Sequence, residues 1–269
     1  SDQYAKENES YGLTTLTEGH CISDTSDDAE GEIDVIFDFT GKSGKHWRLL
    51  IEDDNLANMI EESRLIGDDE KDDASDDTQD LFMFLDDNDA PKDLKAEHIN
   101  EYLDECTDAK TKYTAKDFRT WAASWKTAAR LVLISEATEE ELNQIPDLFE
   151  QAEKNVEGTD WDGYPIIFWK GIHLRRANNL SKLAKSQKLP GSSGKERLAS
   201  MLAVIDTVAG DLGNTRAVCR SSYIRPMIMD DWENNIFMKR WSSVKDSDLL
   251  IGLSQEESIT SIYMNKFEK

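Results

Sequence analysis

Residues 212–223 read Leu-Gly-Asn-Thr-Arg-Ala-Val-Cys-Arg-Ser-Ser-Tyr, and no other stretch of the chain is as informative. Asn214 lies nine residues before Tyr223, and Arg216 and Arg220 lie between them. A tyrosine beside arginines can attack a phosphodiester, because guanidinium groups neutralise the phosphoryl oxygens. Most tyrosines are packing residues with a wetted hydroxyl, so this interpretation needs support from elsewhere in the chain.

Two segments further upstream supply that support. Residues 113–121 read Tyr-Thr-Ala-Lys-Asp-Phe-Arg-Thr-Trp, and residues 39–45 read Phe-Thr-Gly-Lys-Ser-Gly-Lys. In this order, the three segments resemble the catalytic domain of type IB DNA topoisomerases, the small bacterial and poxvirus-like kind. Further similarity to the family lies in residues 4–8, 10–16, 81–85 and 99–103.

The resemblance implies roles for five residues. Tyr223 would form a 3′-phosphotyrosine link with DNA, while Arg119 and Asn214 would bind the phosphate oxygens. Lys42 would act as the general acid for the leaving 5′-oxygen, and Lys116 would assist it. Because the link conserves the bond energy, neither ATP nor a metal is required, and we expect no cofactor.

Each of these residues also fits an ordinary structural role. Lys42 could be a turn lysine, Arg119 could form an ion pair between helices, and Asn214 could belong to a helix end at Gly213. Their joint occurrence in the family order favours the catalytic interpretation.

Two other functions remain open. A tyrosine recombinase shares the fold and the chemistry, but it is expected to show His-x-x-Arg where this chain has Lys116-Asp117-Phe118-Arg119. A catalytically impaired acidic binding protein could keep the same fold. The resemblance also places the first catalytic arginine of the family, and the N-terminal domain that closes around the duplex, upstream of Ser1. We therefore expect weak activity from the chain as it stands.

The overall charge is unusual for a protein that binds DNA. The chain has 31 Lys and Arg against 55 Asp and Glu, a net charge of −24. This argues against DNA binding, because affinity for DNA comes largely from cations. The acidic excess also suggests a halophile, in which the protein works in high salt.

Residues 170–200 are the basic exception, with a local charge of +7. We expect this segment to lie on the face that meets double-stranded DNA, and we expect Arg216 and Arg220 to contact phosphate near the tyrosine. The predicted DNA-binding residues of the segment are Arg175, Arg176, Lys182, Lys185 and Lys188.

The remaining composition sets limits on location and metal content. The three cysteines, Cys21, Cys106 and Cys219, are scattered and odd in number, and the four histidines lack ligand spacing. We therefore expect no metal site and a reducing cytoplasm, as in a bacterial nucleoid. No signal peptide or membrane-length apolar run is visible, and we expect a monomer.

The patterns predict an α+β fold that is predominantly α-helical. Residues 33–39 and 46–51 are predicted strands of an antiparallel hairpin with Lys42 at its tip, and a strand around 11–16 would complete a small sheet. A helix from about 54 would bury Leu56, Met59, Ile60 and Ser63 on one face. Further helices are predicted at 79–86, 95–105, 114–135, 139–156 and 195–212, the last ended by Gly213.

The predicted organisation is a β-rich subdomain of the catalytic domain at 1–55, followed by a helical catalytic core at 56–269 of the tyrosine recombinase and type IB topoisomerase kind. Within the core, 67–79 is a predicted acidic loop. The segment 136–197 is an expanded connection relative to the compact family pattern.

Overall fold

The computed structural model describes residues 11–24, 34–41, 44–51, 53–66, 79–107, 112–154 and 167–268. The chain divides into two units, 1–115 and 116–269, which are described in turn. The fold is α+β and predominantly helical, as predicted. The predicted subdomain boundary at 55 stays a prediction.

The first unit contains a three-stranded antiparallel sheet in the order β1 (Cys21–Asp24), β2 (Asp34–Gly41) and β3 (Lys45–Ile51). The β2–β3 hairpin confirms the predicted strand pair, and its register runs from Val35 opposite Ile51 to Gly41 opposite Lys45. Gly44 has φ +69°, the left-handed conformation that closes a three-residue hairpin loop. Lys42 and Ser43 lie outside the described residues.

The third strand of this sheet is not the predicted one. Residues Leu13–Thr15 form a 3-10 turn, and β1 pairs with β2 instead. The reason is local: the Thr15 hydroxyl donates to the Gly12 carbonyl at 3.1 Å and accepts from the Gly12 N–H at 2.9 Å. Such local hydrogen bonds compete with a strand ladder. Only Tyr11 reaches the sheet, through a bridge to Gly41.

Helix α1 (Asp54–Leu65) begins at Asp53, whose carboxylate accepts from the Leu56 N–H at 3.0 Å. Its predicted buried face was partly wrong. Ala57 and Ile60 pack with Val35 and Phe37 of the sheet, whereas Leu56 and Met59 are 45% and 64% exposed. Ala57 and Ile60 are three residues apart and therefore lie on one face of the helix, and Met59 lies outside that face.

The predicted helix at 79–86 is wrong. Strand β4 (Met83–Leu85) pairs with β5 (Pro91–Asp93) in an antiparallel hairpin. Asp86 stabilises the turn, because its carboxylate accepts from the N–H groups of Asn88 and Ala90 at 2.9 and 3.0 Å. The next predicted helix, at 95–105, is confirmed as α2 (Ala96–Glu105).

In the described residues of the second unit, the one pair of strands is a short hairpin, β6 (Phe168–Trp169) with β7 (Ile172–His173), and the other regular elements are helices. The predicted helices at 114–135, 139–156 and 195–212 are confirmed within two residues. The helices are α3 (Ala115–Glu136), α4 (Glu139–Lys154), α5 (Asn178–Lys185), α6 (Gly194–Asp211), α7 (Arg216–Ser222), α8 (Pro226–Glu233), α9 (Phe237–Ser242) and α10 (Gln255–Phe267). None of the helices described in either unit is long and apolar enough to cross a membrane. The predicted acidic loop at 67–79 falls, except for Gln79, outside the described residues.

Helix α6 is the central element of the second unit. It begins at a capping box in which Ser193 Oγ accepts from the Glu196 N–H and the Glu196 carboxylate accepts from the Ser193 N–H. Helices α5, α7 and α8 pack against it. Its buried residues are Ser200, Met201, Ala203, Val204, Ile205, Thr207, Val208 and Ala209. A helix that is apolar on most of its circumference is typical of a core position.

A buried charge network joins α8, α9 and α10. Asp231 is 5% exposed, and both of its carboxylate oxygens accept from Arg240 Nη1, at 2.7 and 2.6 Å. The hydroxyl of the fully buried Tyr263 donates to the same carboxylate. Burial, together with this carboxylate, raises the pKa of Tyr263. The buried charge is thus compensated by a cation and a hydroxyl.

We predict that Tyr263→Phe lowers the free energy of unfolding by about 2 kcal/mol, because it removes a donor to a buried carboxylate. Urea unfolding followed by tryptophan fluorescence measures this, with the 45%-exposed Tyr113→Phe as a neutral control. Because the pKa of Tyr263 is raised above 10.0, its stabilisation is complete below pH 10 and is lost as the pH rises further. The difference between parent and variant should therefore shrink above pH 10, and a pH-independent difference would contradict this account.

Candidate functional site

The C-terminal end of α6 is the structural basis of the candidate site. Gly213 has φ +67°, and its N–H donates to the Gly210 carbonyl at 3.2 Å. The Asn214 N–H donates to the Ala209 carbonyl at 2.8 Å. These two bonds form a Schellman motif, so Gly213 ends the helix as predicted. The structural role suggested for Asn214 is therefore filled by its backbone.

The side chain of Asn214 is left available by this arrangement. Its Nδ2 is buried and has no hydrogen-bond acceptor among the described residues. A buried amide without a partner is costly, and such groups are rare in proteins. This one is a donor at a helix end, and an anion could accept its hydrogen bond.

Arg119 reaches the same helix end from α3. Its Nη2 donates to the carbonyl of Leu212, two residues before Asn214. Its guanidinium carbon also lies 5.7 Å from the centroid of the Tyr223 ring, within cation–π distance. Arg119 therefore contacts one predicted site residue, Tyr223, and the helix end that bears another, Asn214.

Helix α3 is fixed to α6 by ion pairs close to Arg119. Asp211, the last residue of α6, accepts from Lys126 Nζ at 2.8 Å and from Arg130 Nη2 at 2.5 Å. Arg130 is buried and also donates to Thr207 at 3.0 Å. These contacts hold the backbones of α3 and α6 together. The Arg119 backbone is therefore fixed relative to the end of α6 even without the hydrogen bond of its own side chain.

Tyr223 lies at the end of α7 and is half-buried. The N–H groups of Tyr223 and Ile224 both donate to the carbonyl of Cys219, at 3.1 and 3.2 Å. Cys219 is fully buried, and burial raises the pKa of its thiol to about 11 despite the nearby Arg119.

Ser124 is a site residue that sequence reasoning missed. This buried α3 side chain contacts the backbone at both ends of the segment Tyr223–Arg225. Its Oγ lies 3.3 Å from the Tyr223 carbonyl oxygen and accepts a hydrogen bond from the Arg225 N–H at 3.1 Å. A serine inside a helix normally bonds the carbonyl four residues earlier, which Ser124 also does with Thr120 at 2.8 Å. The sequence does not show whether a helical serine makes only this bond within its helix or also contacts another segment, as Ser124 does.

Glu257 is a second residue that the sequence did not indicate. Its carboxylate accepts from Trp121 Nε1 at 3.0 Å and so attaches the Arg119 region of α3 to α10. Burial raises the pKa of Glu257, but hydrogen bonds from Ser254 and Trp121 outweigh that effect and lower it. The carboxylate therefore stays ionised as an acceptor.

Of the two lysines predicted to deliver the proton, the structure describes only Lys116. Lys116 is exposed in the first turn of α3, three residues before Arg119 and thus on the same helix face. Lys42 lies outside the described residues. Within the described ranges, no group of three or more His, Cys, Asp or Glu could hold a metal ion.

The predicted phosphate contacts Arg216 and Arg220 are paired with carboxylates of the chain. Arg216 makes a bidentate pair with Asp206, in which Nε lies 2.6 Å from Oδ1. This hydrogen bond raises the pKa of Arg216 above its ordinary value. Arg220 is 3.5 Å from Glu233, at an exposed position where such a pair is weak.

The predicted basic residues of 170–200 are mostly accessible. Lys182, Lys185 and Lys188 are exposed, and none has an ion pair with the part of the chain that the structure describes. The stem of Arg176 lies against α6, since a Cβ added at Gly210 would come within 2.9 Å of it. The side chain of Arg175 is outside the described part.

We predict that the Cys219 thiol reacts slowly with disulfide reagents in the folded protein. A rise of its pKa from 9.0 to about 11 lowers the thiolate fraction at pH 8 about 100-fold, before burial itself is counted. A variant that keeps only Cys219 should therefore react with a disulfide reagent at least about 100-fold more slowly than one that keeps only the exposed Cys106. Both should react alike in urea, and similar rates in the folded state would contradict the burial of this segment.

Comparison with known proteins gives one family. The sequence profile of the family described as eukaryotic DNA topoisomerase I, catalytic core, matches residues 1–247. No curated protein matches the chain. The match covers most of the chain and includes Arg119, Ser124, Asn214 and Tyr223, whereas Ser254 and Glu257 lie beyond it. The chain belongs to the DNA topoisomerase I family, as a type IB catalytic domain.

Proposed function

We propose that this topoisomerase domain relaxes supercoiled double-stranded DNA by cutting one strand with Tyr223 and then resealing it. The observation that carries the proposal is the position of Arg119, which contacts both the Tyr223 ring and the helix end that bears Asn214. A phosphate bound beside Tyr223 would have a guanidinium and an amide donor at hand.

The first step would be attack of the Tyr223 phenolic oxygen on a backbone phosphorus. A phosphorus–oxygen bond to Tyr223 forms, the bond to the 5′-oxygen breaks, and the phenolic proton passes to water. Phenols are weak nucleophiles at neutral pH, so charge on the phosphate must be neutralised. Arg119 is suited to this, because a planar guanidinium can bind two phosphate oxygens at once.

Asn214 would contribute a further donor to the same phosphate. Its Nδ2 is already desolvated and has no acceptor among the described residues. A phosphate oxygen that accepted this hydrogen bond would therefore satisfy a group that is otherwise unpaired. Preorganised donors of this kind stabilise charge that develops in the transition state.

The departing 5′-oxygen needs a proton, and we assign its delivery to Lys42 with assistance from Lys116. This assignment rests on the resemblance of residues 39–45 and 113–121 to the family. Resealing would reverse the steps: the 5′-hydroxyl attacks the phosphotyrosine, returns its proton to the lysine and releases Tyr223. The bond energy is kept in the link, so ATP is not consumed.

Two alternatives predict different products. A tyrosine recombinase would exchange strands between duplexes, whereas a topoisomerase reseals the strand that it cut. A binding protein on the same fold would hold DNA without any covalent adduct. The first experiment is therefore a test for the adduct and for relaxation together.

We predict that Tyr223→Phe abolishes both relaxation and the covalent adduct, because the variant lacks the phenolic oxygen that bonds to the phosphorus in the proposed first step. Supercoiled plasmid is incubated without ATP across a potassium chloride titration, and a labelled duplex is analysed on a denaturing gel for a protease-sensitive adduct. The matched control is Tyr113→Phe, an exposed tyrosine of the first unit. An adduct that persists in Tyr223→Phe would exclude this nucleophile, and a parent that binds DNA without an adduct would favour the binding protein.

A second prediction concerns the exposed lysines of α5 and of the segment that follows it. Replacing Lys182, Lys185 and Lys188 by glutamine should weaken duplex binding and lower the slope of log K against log salt by about 2 to 3, since each lost phosphate contact removes about 0.9. Fluorescence anisotropy with a labelled duplex measures the slope.

The control for this experiment is the triple variant Lys239→Gln, Lys245→Gln and Lys266→Gln, which changes the net charge by the same amount at exposed positions elsewhere in the unit. If both triple variants change the slope equally, the effect is one of net charge and not of a DNA-binding surface.

A further inference from the structure

We infer that Ser124 is a positioning residue for Tyr223: its hydroxyl holds the backbone of the tyrosine segment on α3 and so fixes the phenol relative to Arg119. The consequence for catalysis rests on the proposed function. The positioning itself rests on contacts within the second unit and can be tested without DNA.

The tyrosine segment is held on two sides. On its N-terminal side, the N–H groups of Tyr223 and Ile224 donate to the carbonyl of Cys219 in α7. On its C-terminal side, the Arg225 N–H donates to Ser124 Oγ at 3.1 Å. Helix α8 begins directly afterwards at Pro226, with the Arg225 carbonyl accepting from the Ile228 N–H at 3.1 Å. Ser124 therefore connects the short segment between α7 and α8 to the helix of Arg119.

The hydroxyl of Ser124 can keep its bond to the tyrosine segment in either of two orientations. The hydroxyl has one proton, which can face the Thr120 carbonyl at 2.8 Å or the Tyr223 carbonyl at 3.3 Å. In either orientation its oxygen still accepts from Arg225. The residue is 1% exposed, so water cannot readily take over the acceptor role.

Ser124 and Arg119 lie on the same helix, α3, so the connection fixes the tyrosine segment relative to Arg119. Ser124 lies five residues after Arg119, about 7.5 Å further along the helix axis. One rigid helix therefore carries both the guanidinium and the attachment point of the tyrosine backbone. The 5.7 Å between the guanidinium carbon and the Tyr223 ring is set by this shared support.

The test compares Ser124→Ala with Ser135→Ala. Ser135 lies on the same helix and makes the same bond to the carbonyl four residues earlier, at 2.8 Å to Leu131, but among the described residues its hydroxyl has no partner outside α3. Both variants lose one serine hydroxyl from α3, and only Ser124→Ala loses the contact with the tyrosine segment. Ser124→Thr keeps the hydroxyl and serves as the rescue variant.

The first readout is single-turnover cleavage of a labelled duplex. We expect Ser124→Ala to lower the cleavage rate about 100-fold, the effect of misplacing a reacting group by about 1 Å, with duplex affinity unchanged within about twofold. Ser124→Thr should recover most of the rate, and Ser135→Ala should match the parent. Equal rates for Ser124→Ala and Ser135→Ala would overturn the catalytic consequence.

The second readout does not require activity. The tyrosines are labelled as 3-fluorotyrosine, and the fluorine resonance of Tyr223 is assigned by its loss in Tyr223→Phe. The resonance should shift in Ser124→Ala and stay in place in Ser135→Ala, because ring position relative to Arg119 changes only in the former. An unchanged resonance in Ser124→Ala overturns the inference whatever the cleavage rates. If the parent forms no adduct, the proposed function fails, and the resonance alone decides the role of Ser124.

Discussion

The end of helix α6 is the constraint on which the candidate site depends. The helix is buried along most of its length, so its last turn cannot move without disturbing the core. The two backbone bonds around Gly213 direct the Leu212 carbonyl toward Arg119 and place Asn214 directly after it. Asp211 then ties the same turn to Lys126 and Arg130 of α3. The relative position of the α3 and α6 backbones that carry Arg119 and Asn214 is therefore determined by the Schellman bonds and by the ion pairs of Asp211 with Lys126 and Arg130.

The charge distribution explains how a chain with a net charge of −24 can belong to a family that acts on DNA. The lysines of α5 are exposed and make no ion pair with the described residues, whereas Arg216, Arg220 and Arg225 are paired with carboxylates of the chain. Arg216 is held by Asp206, which also accepts from Asn179 at 2.7 Å, and Arg225 lies 3.8 Å from Glu268. A phosphate that approached these arginines would replace a carboxylate partner. Under the proposed function, the lysine surface and the paired arginines thus contribute to DNA binding in different ways.

Much of the fold could be predicted from periodicity, and the errors have local causes. The long helices α3, α4 and α6 and the β2–β3 hairpin were found because their patterns extend over many residues. The run at residues 81–85 was assigned to a helix because a short apolar run is ambiguous, although the Asp-rich turn and Pro91 after it indicate a hairpin. The site residues came from the family motifs, and in the structure Arg119 contacts both Tyr223 and the helix end that precedes Asn214. Ser124 could not be predicted, because its contacts with residues 223 and 225 form only when the segment between α7 and α8 lies against α3.

The attachment of the tyrosine segment has a mechanical consequence. In the covalent state that we propose, a DNA strand end is bonded to the Tyr223 side chain, and any pull or twist on that strand is transmitted to the Tyr223 backbone. From there the force has two paths, through the Cys219 carbonyl into α7 and through the Ser124 hydroxyl into α3. The second path leads into the helix that is anchored to the core by Arg130. The load on the DNA would therefore be shared by the covalent backbone and these two sets of hydrogen bonds, and the bond at the buried Ser124 would limit how far the Tyr223 backbone can move away from α3 before resealing.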